Sequence, residues 1–175
     1  LGKITGVENE NLVIGFLYRD AVVYEKAKEL LCAKFGGIDY QSPALIFRYT
    51  DYYEEEMGKE LTRRFISFEK TVDPASLADI KVFTNSVEED FFYKDTLRRQ
   101  INIDPGLLSL GKFVLATTKN YSHRVYIGKG IFGEVTLQYK DKRFTGFDWT
   151  YPDYQTPEYT GILGEIRAIF KEKLK

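Results

Sequence analysis

His123 is the only histidine in the chain, which makes it the one side chain whose ordinary pKa lies near neutrality and the candidate proton carrier of any acid–base step. A single histidine excludes paired-histidine metal sites and two-histidine phosphoester chemistry. Ser122 is not placed to be its nucleophile, because neighbours on an extended segment point to opposite faces. Arg64, Lys119, Arg124 and Lys129, with Arg63, Arg98 and Arg99, carry the charges that hold phosphate or carboxylate oxygens. Asp51 and Asp104, with Glu134 and Asp153, carry oxygens of the kind that ligate Mg²⁺. Each has a plainer reading: Asp104 before Pro105 as a helix cap, Arg124 with Glu134 as a cross-strand pair, Glu54-Glu55-Glu56 as a solvated turn.

Three segments gather aromatic, hydroxyl and charged groups at element ends: Tyr49-Thr50-Asp51-Tyr52-Tyr53, Asn120-Tyr121-Ser122-His123-Arg124 and Trp149-Thr150-Tyr151-Pro152-Asp153-Tyr154. Binding sites favour such loops, where aromatic faces and a few polar groups converge. Meeting at one edge of a sheet, they would enclose a pocket for a small anionic, partly planar ligand, phosphorylated, nucleotide-like or carboxylated. Its lining would be Tyr53, Arg64, Lys119, His123, Arg124, Lys129 and Trp149. The alternative is a non-enzymatic module whose tyrosine-rich edges anchor a protein or RNA partner. A ligand site requires these residues to converge in a concavity, whereas a partner surface requires them to spread over an exposed face.

The familiar phosphate-binding motifs are missing. Gly128-Lys129-Gly130-Ile131-Phe132-Gly133-Glu134-Val135 fits the Gly-rich loop of protein kinases as a pattern, but no catalytic-loop His-Arg-Asp or Asp-Phe-Gly accompanies it, so it reads as a glycine hairpin. No Gly-x₄-Gly-Lys-Ser/Thr run exists, and Thr118-Lys119-Asn120-Tyr121 lacks the aspartate that would read guanine.

The elements that must position these residues follow from patterning. The 175 residues are 43% hydrophobic, 15% aromatic and 29% charged, which suits one soluble domain with its own core. The 25 basic and 26 acidic side chains nearly cancel, so binding to nucleic acid or an anionic membrane would need a local patch. No apolar run approaches the roughly 20 residues of a membrane span, and a lone Cys32 suits a reducing, cytoplasmic setting. Leu1 to Asn11 reads as a loosely held leader.

Leu12 to Tyr18 is a nearly continuous apolar run, as in a central strand covered on both faces. Asp20 caps a helix over 21–35 that stops at Gly36-Gly37. Strands are expected at 44–49 and 61–68, with Asp51 and Glu54 as a capping box between them. Asp73-Pro74 opens a helix over 74–91, residues 100–103 read as a strand, and Asp104-Pro105 predicts a third helix over 105–117. Tyr121–Ile127 and Ile131–Tyr139 make a hairpin. A three-residue loop, Gly128-Lys129-Gly130 with Gly130 at positive φ, puts Ile127 opposite Ile131, His123 opposite Val135 and Arg124 opposite Glu134. Phe144–Thr150 adds a strand, with Phe147 and Trp149 on the face of Val135 and Leu137. Thr156-Pro157 opens a last helix whose buried stripe is Tyr159, Ile162, Leu163, Ile166 and Phe170, with Gly161 and Gly164 approaching the sheet. The fold class is α+β: a ferredoxin-like βαββαβ sheet extended by a further helix, an antiparallel three-stranded meander and a C-terminal helix.

Four segments, Thr50-Asp51-Tyr52-Tyr53-Glu54-Glu55-Glu56-Met57-Gly58, Asn102-Ile103-Asp104-Pro105-Gly106, Leu115 to Arg124 and Trp149 to Tyr154, resemble in the same order an uncharacterised prokaryotic family known as a domain of unknown function. The likeness runs over nearly the whole chain. Some members carry a GTP-binding label; the resemblance implies no activity, substrate or catalytic residue.

Overall fold

The computed structural model describes residues 2–94 and 98–175. Residues 2–9 run exposed without helix or strand before β1 (Glu10–Tyr18) begins the sheet. There follow α1 (Ala21–Phe35), β2 (Ile38–Gln41), β3 (Leu45–Ile46), the single turn α2 (Glu54–Met57), β4 (Thr62–Val72), α3 (Leu77–Glu89) and β5 (Ile101–Leu108). The second half holds β6 (Lys112–Thr117), β7 (Val125–Gly128), β8 (Ile131–Lys140), β9 (Arg143–Gly146) and α4 (Pro157–Lys173). Among the described residues this is an α+β protein in which four helices cover a nine-stranded open antiparallel sheet of order β2-β4-β1-β5-β6-β8-β7, with β3 beside β4 and β9 beside β8.

The long helices form where the sequence places caps and stripes. The Asp20 carboxylate accepts from Val22 N at 2.8 Å, and Gly36, at φ 98°, closes α1 through its N–H to Cys32 O. Thr156 accepts from Tyr159 N at the start of α4, whose five expected stripe residues are all buried. Leu12, Ile14 and Phe16 of β1 pack with α1 and α3, while Val13 packs with α4 on the other face. β1 is therefore enclosed on both sides, as its unbroken apolar run requires.

The helix expected over 105–117 is instead the hairpin of β5 and β6. Leu107, Leu110, Val114 and Leu115 have helical spacing, but a strand buried on both faces also needs a near-continuous apolar run, and enclosure beside β1 selects the strand. Asp104-Pro105 then lies in mid-strand rather than at a cap. Ser109 N donates to Lys112 O at the hairpin end, so by the period of two the backbone at 107 and 105 faces β6 as well. Pro105 has no N–H to offer there. Pairing between β5 and β6 accordingly covers only Gly106–Leu108 with Phe113–Leu115, and beyond it the strands part. Gly106 is required at that point, since an added Cβ would lie 2.6 Å from the Phe113 ring and 2.9 Å from Val114 O.

Smaller departures share a cause in local geometry. Val125 faces Gly133 and Tyr126 faces Phe132, the expected offset, but a bulge at Ile127 sets Gly128 opposite Ile131. The connection is thus the two-residue turn Lys129-Gly130, with φ 54° and 76°, rather than a three-residue loop. β7 starts only at Val125, so His123 lies in the preceding turn and not opposite Val135. A register shift at Thr136 buries Leu137 while leaving Val135 exposed, so the two do not share a face. β9 and β7 both lie on the side of β8 away from β6, which makes β8 a shared partner rather than the middle of a simple meander. β9 ends at Gly146, and between β7 and β9 the edge of β8 is taken by side chains: Trp149 Nε1 donates to Val135 O and Thr150 Oγ1 to Thr136 O. The strand expected over 44–49 shrinks to β3, and β2 precedes it unforeseen. Asp51 and Glu54 form no capping box; Tyr53 precedes α2 without a side-chain cap. Gly161 and Gly164 approach nothing: a Cβ at either would meet no atom within 4 Å.

Candidate functional site

Where β5 and β6 part, a cleft of about 660 Å³ opens. Asn102 and Asp104 of β5 line one side, and Leu115, Ala116 and Thr117 of β6 the other. The three aromatic segments converge here. Tyr49, Tyr52 and Tyr53 come from the first, Tyr121 and Arg124 from the second, and Tyr151, Asp153 and Tyr154 from the third.

The floor is built on Arg63 of β4, whose side chain is 3% exposed. Its NH1 donates to Asp104 Oδ2 at 3.4 Å and its NH2 to Asp153 Oδ2 at 3.5 Å, and its guanidinium lies 5.3 Å from the Phe47 ring centroid. Gly15 of β1 makes room for it, since an added Cβ would lie 3.3 Å from both Arg63 NH1 and the Tyr154 hydroxyl. Burial works to lower the Arg63 pKa, but Tyr154, Tyr159, Asp104 and Asp153 outweigh it and hold the value up. Burial raises the Asp153 pKa against the pull of Arg63, and raises that of Tyr53, with Asp104 adding to it.

Around this centre the charges are matched. Asn102 Nδ2 donates to Asp104 Oδ2 at 2.7 Å, and Lys81 Nζ lies 3.9 Å from Asp104 Oδ1 while donating to Ile103 O. Glu88 accepts from Ile103 N at 2.6 Å and from Arg99 NH1 at 3.3 Å; burial raises its pKa. Arg99 also grips both oxygens of Glu56. Such pairing is what makes buried charge tolerable, and removing one member would strand the other. Two buried polar atoms in this region have no hydrogen-bond partner among the described residues: Arg63 Nε and the Tyr154 hydroxyl. Each such atom costs about 1–3 kcal/mol.

At the mouth, Lys119 Nζ donates to the Tyr52 hydroxyl at 2.9 Å and lies over the Tyr52 ring. Of the cleft's cations it alone has no carboxylate partner among the described residues. Arg124 Nε donates to Glu134 Oε2 at 2.7 Å, NH1 to Lys119 O, and the guanidinium covers the Tyr121 ring. Arg124 thus pairs with Glu134 as expected, from just outside the strand. Glu134 is buried and also accepts from Thr136 Oγ1. Its Oε2 lies 3.1 Å from His123 Nε2, and because a carboxylate only accepts, that nitrogen carries the proton.

The candidates divide accordingly. Tyr53, Lys119, Arg124 and Asp104 line the cleft; His123, Trp149, Arg64, Lys129 and Asp51 do not. The His123 ring is held between Tyr121 and Trp149, at 6.0 and 5.5 Å between centroids, and Trp149 stacks on Phe147. This is a support for Glu134 rather than a group facing the cleft. Arg64 points to the opposite face of β4, over the Tyr24 ring, and its neighbour Arg63 takes the floor. Lys129 pairs with Asp79 at the hairpin turn. Asp51 is exposed outside the lining, and among the described residues no three His, Cys, Asp or Glu side chains come together as a metal ligand set. Lys81, Glu88 and Asn102 were not singled out from the sequence. Lys81, Thr84 and Glu88 are polar, spaced by three and four, and buried on α3, a pattern that marks a helix flank facing something polar.

Residues 8–170 match the model of the family described as Domain of unknown function (DUF4416). No curated protein and no solved structure matches the chain. Among the described residues no helix is long and apolar enough to cross a membrane.

Proposed function

The chain belongs to the DUF4416 family, and from that footing we propose that its cleft binds a small anionic ligand with a planar part, of phosphorylated, nucleotide-like or carboxylated type. The observation that carries this reading is convergence: three segments distant in sequence bring their tyrosines and Arg124 into one concavity with Arg63 and Lys119. Lys119, short of a carboxylate, is the natural partner for the anion. Tyr52 and Tyr151, 61% and 49% exposed, offer ring surface beside it. The strand order β2-β4-β1-β5, with α1 and α3 packed together against β1, supports reading the first half as a ferredoxin-like unit. The cleft then lies where its last strand, β5, parts from β6.

A thermal-shift screen with nucleotides, sugar phosphates and carboxylates tests the proposal. A ligand at 100 times its Kd adds about 2.7 kcal/mol, which raises Tm by roughly 5–10 °C for a chain of this size. The shift should be lost in Lys119→Ala and kept in Lys129→Ala. A flat screen, or a shift indifferent to Lys119, removes the reading. The second reading, a protein- or RNA-interaction module, is favoured by β7 at the sheet edge, where Val125 and Tyr126 are 70% and 61% exposed. It predicts that Val125→Asp impairs partner capture without touching ligand shifts.

A further inference from the structure

The cleft is polar in two different ways along its depth. At the mouth a cation, Lys119, has only the Tyr52 hydroxyl and ring as partners. At the floor the two carboxylates are loosely held by their cations. Asp104 and Asp153 share Arg63 at 3.4 and 3.5 Å, longer than the roughly 2.7–2.9 Å of a full charge-assisted hydrogen bond. The nearest cation to Asp104 Oδ1 is Lys81 at 3.9 Å. Beside them Tyr154, which lines the cleft and is 3% exposed, buries a hydroxyl with no partner. An anion reaching this depth would meet two carboxylates. An ammonium group would crowd Arg63 and Lys81. A hydroxyl suits it, because it can donate to a carboxylate and accept from Tyr154.

Resting on the anionic reading of the cleft, we infer that the ligand is a phosphorylated polyhydroxy compound, of the nucleoside-phosphate or sugar-phosphate class, bound with its phosphate at Lys119 and its hydroxyl groups at Asp104 and Tyr154. Depth and chemistry set the orientation: the group that needs a cation stays at the mouth, and the groups that supply donors go to the floor.

Calorimetric titration with matched probes tests this: adenosine 5′-monophosphate, adenosine, 2′,3′-dideoxyadenosine 5′-monophosphate, ribose 5-phosphate and phenyl phosphate. In the wild type, loss of the phosphate and loss of the diol each weaken binding about tenfold, the scale of one hydrogen bond to a charged group. In Lys119→Ala the phosphate no longer matters; in Tyr154→Phe the advantage of the diol shrinks to what Asp104 alone supplies. Tyr154→Phe without ligand should melt no lower than the wild type, because the hydroxyl it removes has no partner, so a loss of affinity is not a loss of fold. If phenyl phosphate binds as tightly as ribose 5-phosphate, or Tyr154→Phe weakens the dideoxy and parent nucleotides equally, the hydroxyl assignment is wrong while the anionic cleft stands. If none of the phosphates binds, the anionic reading falls with it.

Discussion

The cleft and the aromatic stack behind it use the same residue types and share Glu134, yet they are arranged for opposite purposes. In the stack, Tyr121, His123, Trp149 and Phe147 lie nearly parallel, with interplanar angles of 1°, 13° and 7°. The rings stack on one another, and the Arg124 guanidinium lies over that of Tyr121. At the cleft, Tyr52 meets Tyr53 at 90° and Phe47 meets Tyr49 at 68°, and edge contacts leave ring faces over for other groups. The charges differ in the same way. His123 and Arg124 both spend themselves on one buried carboxylate, whereas Lys119 holds only a tyrosine. A histidine with aromatic neighbours is therefore no sign of a site unless its ring is left a free edge or face.

The comparison can be broken most sharply at the residue that joins the two regions. Glu134→Ala leaves Arg124, whose side chain is 3% exposed, without its counter-ion and should cost about 3–5 kcal/mol in urea unfolding; a loss below about 1 kcal/mol would mean that Glu134 holds neither region. Trp149→Ala removes the middle of the stack and the bond to Val135 O. At 40% exposure it should cost about 2 kcal/mol while leaving ligand-induced Tm shifts in place. Loss of those shifts would show that the stack shapes the cleft.

Behind the lining residue Arg99, Glu56→Gln should cost about 1 kcal/mol at neutral pH, the pair being partly exposed. Hydrogen bonds from Arg99 hold the Glu56 carboxyl below its ordinary value. The contribution is therefore fully present above that ordinary value and is lost as pH falls through the lowered one. Wild type and variant should converge in acid, and a gap that stays constant with pH would exclude the ion pair as its source. The smallest stability effect belongs to Lys119→Ala, a few tenths of a kcal/mol as for most exposed substitutions, together with the largest loss of ligand response.

Much of the fold was legible because it is local. Asp20 and Thr156 cap α1 and α4 through their own side chains, Asp73 caps a 3-10 turn, Pro74–Ser76, that leads into α3, and the stripe from Tyr159 to Phe170 needs only a helical period to be read. The pairing of Arg124 with Glu134 followed from the hairpin offset, even though a bulge at Ile127 changed the turn. The site was legible in part for the same reason: its three segments could be named from composition, since ring, hydroxyl and charge sit side by side in the chain.

What the sequence could not decide was whatever depends on neighbours distant along the chain. Leu107 to Leu115 fits a helix or buried strands equally well, and only enclosure between β1 and β8 chose the hairpin of β5 and β6. Arg63 and Arg64 are adjacent and chemically alike; the register of β4 against β1 sent one to the cleft floor and the other to the Tyr24 ring. By its local habit Pro105 opens a helix; tertiary pairing makes it instead the point where a ladder stops and a cleft begins. By itself the sequence determined the caps, the helical stripes and the segments rich in binding chemistry, all set by contacts within a few residues. Only the tertiary structure decided which face each strand residue took and where two strands parted, because those depend on side chains brought together from across the sheet.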